Sequence, residues 1–246
     1  MSAKNNYQVY KYNLFAIHTQ GRKAYFNFMA TDIYSLAQVS YIPALRWQRE
    51  RKLLREKDLC NDTLFLVEHP PVYTVGRATQ VNDLPEDESC DVVEVERGGG
   101  ITFHGPGQLV GYLIFDLKSR NRDVHQFLRD IETIILRTLK IFGISGAQHI
   151  GMTGVWVNGE KIASLGLHVS KWITSHGFAF NIDMDLAPFR RVSPCGQDGR
   201  LVTSLRNLLG MHVKRREVET ILIDQFQEIF GEKVVFCSEI IPLIEE

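Results

Sequence analysis

The chain is 246 residues long, 44% hydrophobic and 23% charged, with a formal net charge of -1. That length buries one substantial core, and the charge balance lacks the basic excess of a nucleic-acid binder. No apolar run approaches the ~20 residues of a membrane span and no leader-like segment opens the sequence, so a cytoplasmic protein without a membrane partner is expected.

In chain order, Val9 to Leu14 reads as a first strand, and Ala24 to Ala37 and Leu45 to Asp58 read as helices. The second helix is strongly charged, with apolar residues at 45, 47, 53 and 54, and should lie on the surface. The break at Tyr41 to Pro43 separates the two. Thr63 to Glu68 and Val72 to Val75 are apolar strands hinged at His69-Pro70-Pro71, since adjacent prolines cannot donate to a ladder. His69 and Arg77, at the two ends of the second strand, are candidate supporting residues. Asn82 to Ser89 is a polar surface loop.

Arg97 to Asp116 then packs six glycines and one proline into twenty residues, behind a strand at Val92 to Glu96. Glycines there admit backbone angles and close approaches that a Cβ forbids. Neither GxGxxG nor GxxxxGK[ST] is present, and Ile101-Thr102-Phe103 continues as strand, so a nucleotide loop is not indicated. A ligand lying flat against this loop is the functional reading; a tight turn at His104-Gly105-Pro106-Gly107 is the plain one.

Val124 to Gly143 carries the apolar spacing of a core-facing helix. Thr153 to Val157 and Lys161 to Val169 are strands joined by Asn158-Gly159, a strong hairpin signal. Small residues at Ala163, Ser164 and Gly166, and again at Gly177 and Ala179 in the strand His176 to Ile182, imply something packed closely over them. Leu201 to Leu209, capped at Thr203 and Ser204, and Val218 to Phe230 should be helices, with a short strand at Val234 to Phe236. The expected fold is one α/β (α+β) domain over residues 1–246, with a mixed, largely antiparallel sheet, flanking helices and a helical portion from about residue 201.

Four cysteines, Cys60, Cys90, Cys195 and Cys237, lie far apart and form no CxxC pair, so reduced thiols and no metal site are expected. Cys195, between Pro194 and Gly196 with Arg190 and Arg191 upstream, is the best candidate nucleophile, because a nearby cation or helix N-terminus favours the thiolate. The residues alone leave its activator open among Lys161, His104, His168 and His176.

EHPPVYTVGR (68–77), RGGGITFHGPGQLVGY (97–112), TGVWVNGEKIASLGLHV (153–169), TSHGFAFNI (174–182) and SPCG (193–196) together resemble the lipoyl(octanoyl) transferases. The resemblance implies the fold of the lipoate and biotin protein ligase catalytic domains. It also implies transfer of an octanoyl group from acyl carrier protein to a lysine of lipoyl domains or of the glycine-cleavage H protein. By the same resemblance, Cys195 is the nucleophile and Lys161 its activator. Arg97, Gly98, Gly99, Gly100, Ile101, Thr102, Phe103 and His104 form the first acyl-pocket segment. Ser164, Leu165 and Gly166, and Gly177, Phe178 and Ala179, form the others, with His176 supporting. No cofactor and a monomeric enzyme are expected. An ATP-dependent lipoate or biotin ligase, a cysteine amidohydrolase and a non-enzymatic scaffold are the competing readings.

Overall fold

The computed structural model describes residues 30–80, 83, 90–192 and 201–238, and the backbone of two short antiparallel strands, β1 (His18–Thr19) and β2 (Arg22–Lys23). The strand expected at Val9 to Leu14 lies outside the described residues. Ala30–Gln38 is strand β3, not the end of a helix. Its apolar residues mimic a helical stripe, but the segment sits between two parallel neighbours, and tertiary burial overrides local preference there.

Helix α1 (Tyr41–Glu56) begins earlier than expected. Pro43 is accommodated because the first-turn N–H groups of a helix have no internal acceptor, so its missing donor is not needed. Tyr41, Ala44, Leu45 and Gln48 are the buried residues, an i, i+3, i+4, i+7 face. Strands β4 (Asp62–Glu68) and β5 (Val72–Val75) follow, then β6 (Asp91–Glu94), β7 (Ile101–His104) and β8 (Gln108–Ile114). The long helix α2 (Val124–Ile141) is capped by the Asp123 carboxylate, which accepts from Gln126 N. The hairpin β9 (Gly154–Val157) and β10 (Glu160–Ser170) turns at Asn158-Gly159, both at positive φ, and β11 (Ile173–Asn181) returns alongside it.

After residue 201 the helix α3 (Leu205–Leu209) is shorter than the sequence suggests, and Ser204 rather than Thr203 is its cap. Residues Leu201 to Thr203 are extended instead and pair with Lys161. α4 (Arg215–Phe230) and β12 (Lys233–Phe236) complete the described fold.

The large sheet has seven strands in the order β12-β3-β4-β8-β11-β10-β9, and a smaller one the order β6-β5-β7. Among the described strands, β12–β3, β3–β4 and β5–β6 pair in parallel and the other pairs are antiparallel. One face of the large sheet carries Leu109, Leu113, Phe178 and Phe180 into a core shared with α2 and α4. The other carries Val110, Tyr112, Ile114 and Ala179 toward α1 and part of the small sheet. Successive side chains of β8 and β11 thus feed two cores at once, with the cavity lined from both by Phe178, Val110, Tyr112 and Ala179.

Candidate active site

Between the large sheet, α1 and the glycine-rich loop lies a cavity of ≈ 280 Å³. Arg97, Gly98, Gly99, Gly100, Ile101, Thr102 and His104 line it from the loop and β7. Ser164, Leu165 and Gly166 from β10, and His176, Gly177, Phe178 and Ala179 from β11, line it too, with Lys161 at the hairpin. Segments spread over more than eighty residues of sequence are brought to one place.

The glycines build that wall by close approach. Gly98 N donates to Leu167 O across 3.0 Å, laying the loop on β10. A Cβ on Gly166 would stand 2.8 Å from Gly98 O, and one on Gly177 would stand 2.2 Å from Gly111 O. A side chain on Gly166 would lift the loop off β10, and one on Gly177 would run into the neighbouring strand β8.

Arg97 is buried, not a surface cation. Its Nη1 donates to Gly98 O and Gly100 O at 3.1 and 2.8 Å, and its Nη2 to Thr74 O and Oγ1, both at 2.8 Å. The guanidinium therefore braces the loop from behind.

Lys161 is half-buried, its Nζ 5.1 Å from the Trp156 ring centroid, and its stem passes over Gly154, where a Cβ would stand 2.6 Å from Lys161 Cε. Lys161 pairs with Trp156 of β9, and the register shifts between it and Ala163, a bulge-type irregularity beside the lysine. On its other edge it takes the extended segment: Lys161 N donates to Leu201 O at 2.8 Å, and Thr203 N to Lys161 O at 3.0 Å. Cys195 lies outside the described residues, in the stretch between Val192 and Leu201.

The remaining candidates fall elsewhere. Phe103 faces away from the cavity and packs on Tyr73 and Phe189. His69 is fully buried behind the wall, and Arg77 is exposed next to the loop, its N–H donating to Arg97 O at 3.2 Å. His168 is half-buried and does not line the cavity.

Tyr41, Val110, Tyr112, Gly151, Met152 and Thr153 line the cavity without having been singled out in the sequence. Tyr112 sits inside an apolar run that reads as core, and Tyr41 in a segment that reads as a helix break. Only their polar hydroxyls among apolar neighbours hint at a site.

The wall is rich in neutral polar groups. His69 Nδ1–H donates to Val39 O at 2.5 Å, so its Nε2 accepts from the Tyr112 hydroxyl at 2.6 Å. Burial pushes His69 down to about 4. His104 falls to about 3 through burial and the neighbouring His69, and His176 to about 3 through burial and Arg97. Burial also raises the Tyr41 hydroxyl to about 12, against the opposing pull of Arg97. At neutral pH these groups are uncharged hydrogen-bonding partners.

His176 is unusual in its backbone as well. It sits inside β11 with φ +60, a region that costs an L-residue roughly 1 kcal/mol. Its N–H is held by Gln48 Oε1 of α1 at 2.9 Å. Among the described residues, no group of three or more His, Cys, Asp or Glu could hold a metal ion, and no helix is long and apolar enough to cross a membrane.

Residues 42–227 match the family described as lipoyl protein ligase A/B catalytic domain. The chain is 43% identical over 182 residues to an octanoyltransferase of Geobacter metallireducens, covering 74% of this chain and 84% of that one. It is 45% identical over 196 residues to an octanoyltransferase of Rubrobacter xylanophilus, covering 76% and 88%. Among solved structures, a lipoate-protein ligase A bound with ATP superposes with a TM-score of 0.71 at 16% identity, covering 86% of this chain and 91% of that one. The biotin protein ligase of Aquifex aeolicus in complex with biotin and ATP gives 0.52 at 14% identity, covering 82% and 70%. At those identities the superpositions speak for a common fold.

Proposed function

This chain belongs to the lipoyl protein ligase A/B catalytic-domain family, as an octanoyltransferase of lipoate biosynthesis, and from that premise we propose a thioester relay through Cys195. The acyl donor is octanoyl-acyl carrier protein. The acceptor is a lysine of lipoyl domains or of the glycine-cleavage H protein. The observation that carries this reading is the glycine-walled cavity with Lys161 at the hairpin beside it.

In the first half-reaction, Cys195 Sγ attacks the thioester carbonyl. The new C–S bond replaces the bond to the carrier's pantetheine sulfur, which leaves and takes a proton from charged Lys161, leaving that lysine neutral. In the second, the acceptor lysine Nζ attacks the enzyme thioester. A C–N bond forms, the C–S bond to Cys195 breaks, and the amine's proton passes through Lys161 to the departing thiolate. Thioester exchange is nearly isoenergetic and amide formation is downhill, so no ATP is consumed.

Lys161 serves each half differently. Its charged form favours the Cys195 thiolate, and its neutral form accepts a proton from the incoming amine. The half-buried lysine stands with its Nζ over the Trp156 ring. The acyl chain lies along Gly98 to Gly100, Ser164 to Gly166 and Gly177 to Ala179. Each buried methylene contributes about 0.8 kcal/mol, enough to prefer octanoyl over much shorter chains.

The test is intact-protein mass after mixing with octanoyl-acyl carrier protein in the absence of ATP. The parent should gain one octanoyl group and lose it to added lipoyl domain, while Cys195→Ala gains none. Labelling of the lipoyl domain only from free octanoate with ATP would move the protein to the ligase reading.

A further inference from the structure

A directed chain of buried hydrogen bonds runs from the glycine loop to the backbone of Lys161. Arg97 Nη2 donates to Thr74 Oγ1 at 2.8 Å. Thr74 Oγ1 lies 3.4 Å from His104 Nε2, and His104 Nδ1 lies 2.7 Å from Gln108 Oε1. Gln108 Nε2 donates to Phe103 O at 3.2 Å and to Asn181 Oδ1 at 2.9 Å. Asn181 Nδ2 donates to Thr203 O at 3.0 Å, and Thr203 N donates to Lys161 O.

Every direction in the chain is fixed by chemistry. The carbonyls of Phe103 and Thr203 only accept, so the amide nitrogens of Gln108 and Asn181 face them. Gln108 Oε1 must then accept, which places the His104 proton on Nδ1 and makes the Thr74 hydroxyl the donor to Nε2. Thr74, His104, Gln108, Asn181 and Thr203 are all buried, so no water replaces a lost partner at low cost.

We infer that Asn181, oriented by Gln108, is a positioning residue for Lys161. It clamps the extended segment Leu201 to Thr203 onto the register-shifted end of β10, and so fixes where the backbone of Lys161 stands. The inference rests on the proposed pairing of Lys161 with Cys195. Asn181 touches no reacting atom; it acts through Thr203. Without its donor, Thr203 O is left buried and unpaired, and the segment holding both sides of the Lys161 peptide loosens.

The experiment compares Asn181→Asp and Asn181→Ala with the parent and with Leu139→Ala, a core substitution on α2. Asn181→Asp keeps the shape and sets a second acceptor against Thr203 O. The readouts are the pH profile of Cys195 alkylation by iodoacetamide, the rate of octanoyl uptake and the thermal midpoint. Both Asn181 variants should move the alkylation profile to higher pH and slow octanoyl uptake roughly tenfold or more. Leu139→Ala should lower the thermal midpoint and leave the profile in place. Gln108→Met, which keeps Asn181 but frees its amide to rotate, should shift the profile in the same direction, so a failure of Asn181→Ala to fold leaves the inference testable. Alkylation profiles of Asn181→Asp and Gln108→Met that superpose on the parent's would overturn it. Alkylation needs no acyl donor, so a parent that alkylates as expected yet takes up no octanoyl group counts against the transferase reading alone.

Discussion

Gly166 and Gly98 meet where β10 and the glycine loop touch, and the contact is backbone to backbone. Because the first atom a Gly166 Cβ would meet is Gly98 O at 2.8 Å, a methyl group cannot be relieved by a rotamer change. Gly166→Ala should therefore lift the loop, at a cost of about 1–3 kcal/mol in urea unfolding. It should also narrow the cavity, so octanoyl uptake should fall more than butyryl uptake. Equal losses for the two acyl chains would place the acyl pocket elsewhere.

At the scale of elements, α1 and β11 share an apolar cluster and a buried hydrogen bond. Gln48 supplies the acceptor for the His176 N–H at the point where β11 adopts φ +60. Gln48→Leu leaves that buried donor unpaired and should cost about 1–3 kcal/mol of unfolding free energy. Adding His176→Gly removes the left-handed penalty and should recover part of the loss, read as a non-additive double-mutant cycle.

Much of this architecture is legible in the sequence because the relevant signals are local. The Asn158-Gly159 turn and the proline pair at 70–71 each fix an element without help from distant residues. The glycines and small residues at 98–100, 164–166 and 177–179 mark a close approach, although not what approaches. β3 reads as helix in the sequence because its burial comes from its parallel neighbours β4 and β12 rather than from a period-2 pattern of its own. The segment at Leu201 to Thr203 resembles the start of a helix, and only its pairing with Lys161 makes it extended. Gln48, Gln108 and Asn181 carry no local signal beyond being polar in apolar surroundings, since their partners lie as far as 128 residues away.

For the whole molecule, the neutral histidines govern acid stability. His69, His104 and His176 titrate near 6.5 when unfolded but near 4, 3 and 3 when folded. Between those values the unfolded chain binds more protons, so stability is complete above about pH 6.5 and is lost as pH falls toward 4. Each histidine should add to that loss within the window. A thermal midpoint that falls steeply from pH 7 to pH 5, and less steeply in His104→Gln, is the expected outcome. A midpoint flat across that range would show that the three histidines do not carry this penalty.

The seventh strand has a further consequence, in time. β12 joins the sheet beside β3, and Glu232 accepts a 2.6 Å hydrogen bond from Thr31, 201 residues earlier in the chain. At about 5–20 residues per second, a ribosome needs on the order of 10–40 s to travel between them. Through that interval β3 emerges with a bare edge, a ready template for another nascent strand. The protein is thus most vulnerable to self-association while it is being made. A chaperone that shields extended edges should raise its yield more than any stabilising change in the finished core.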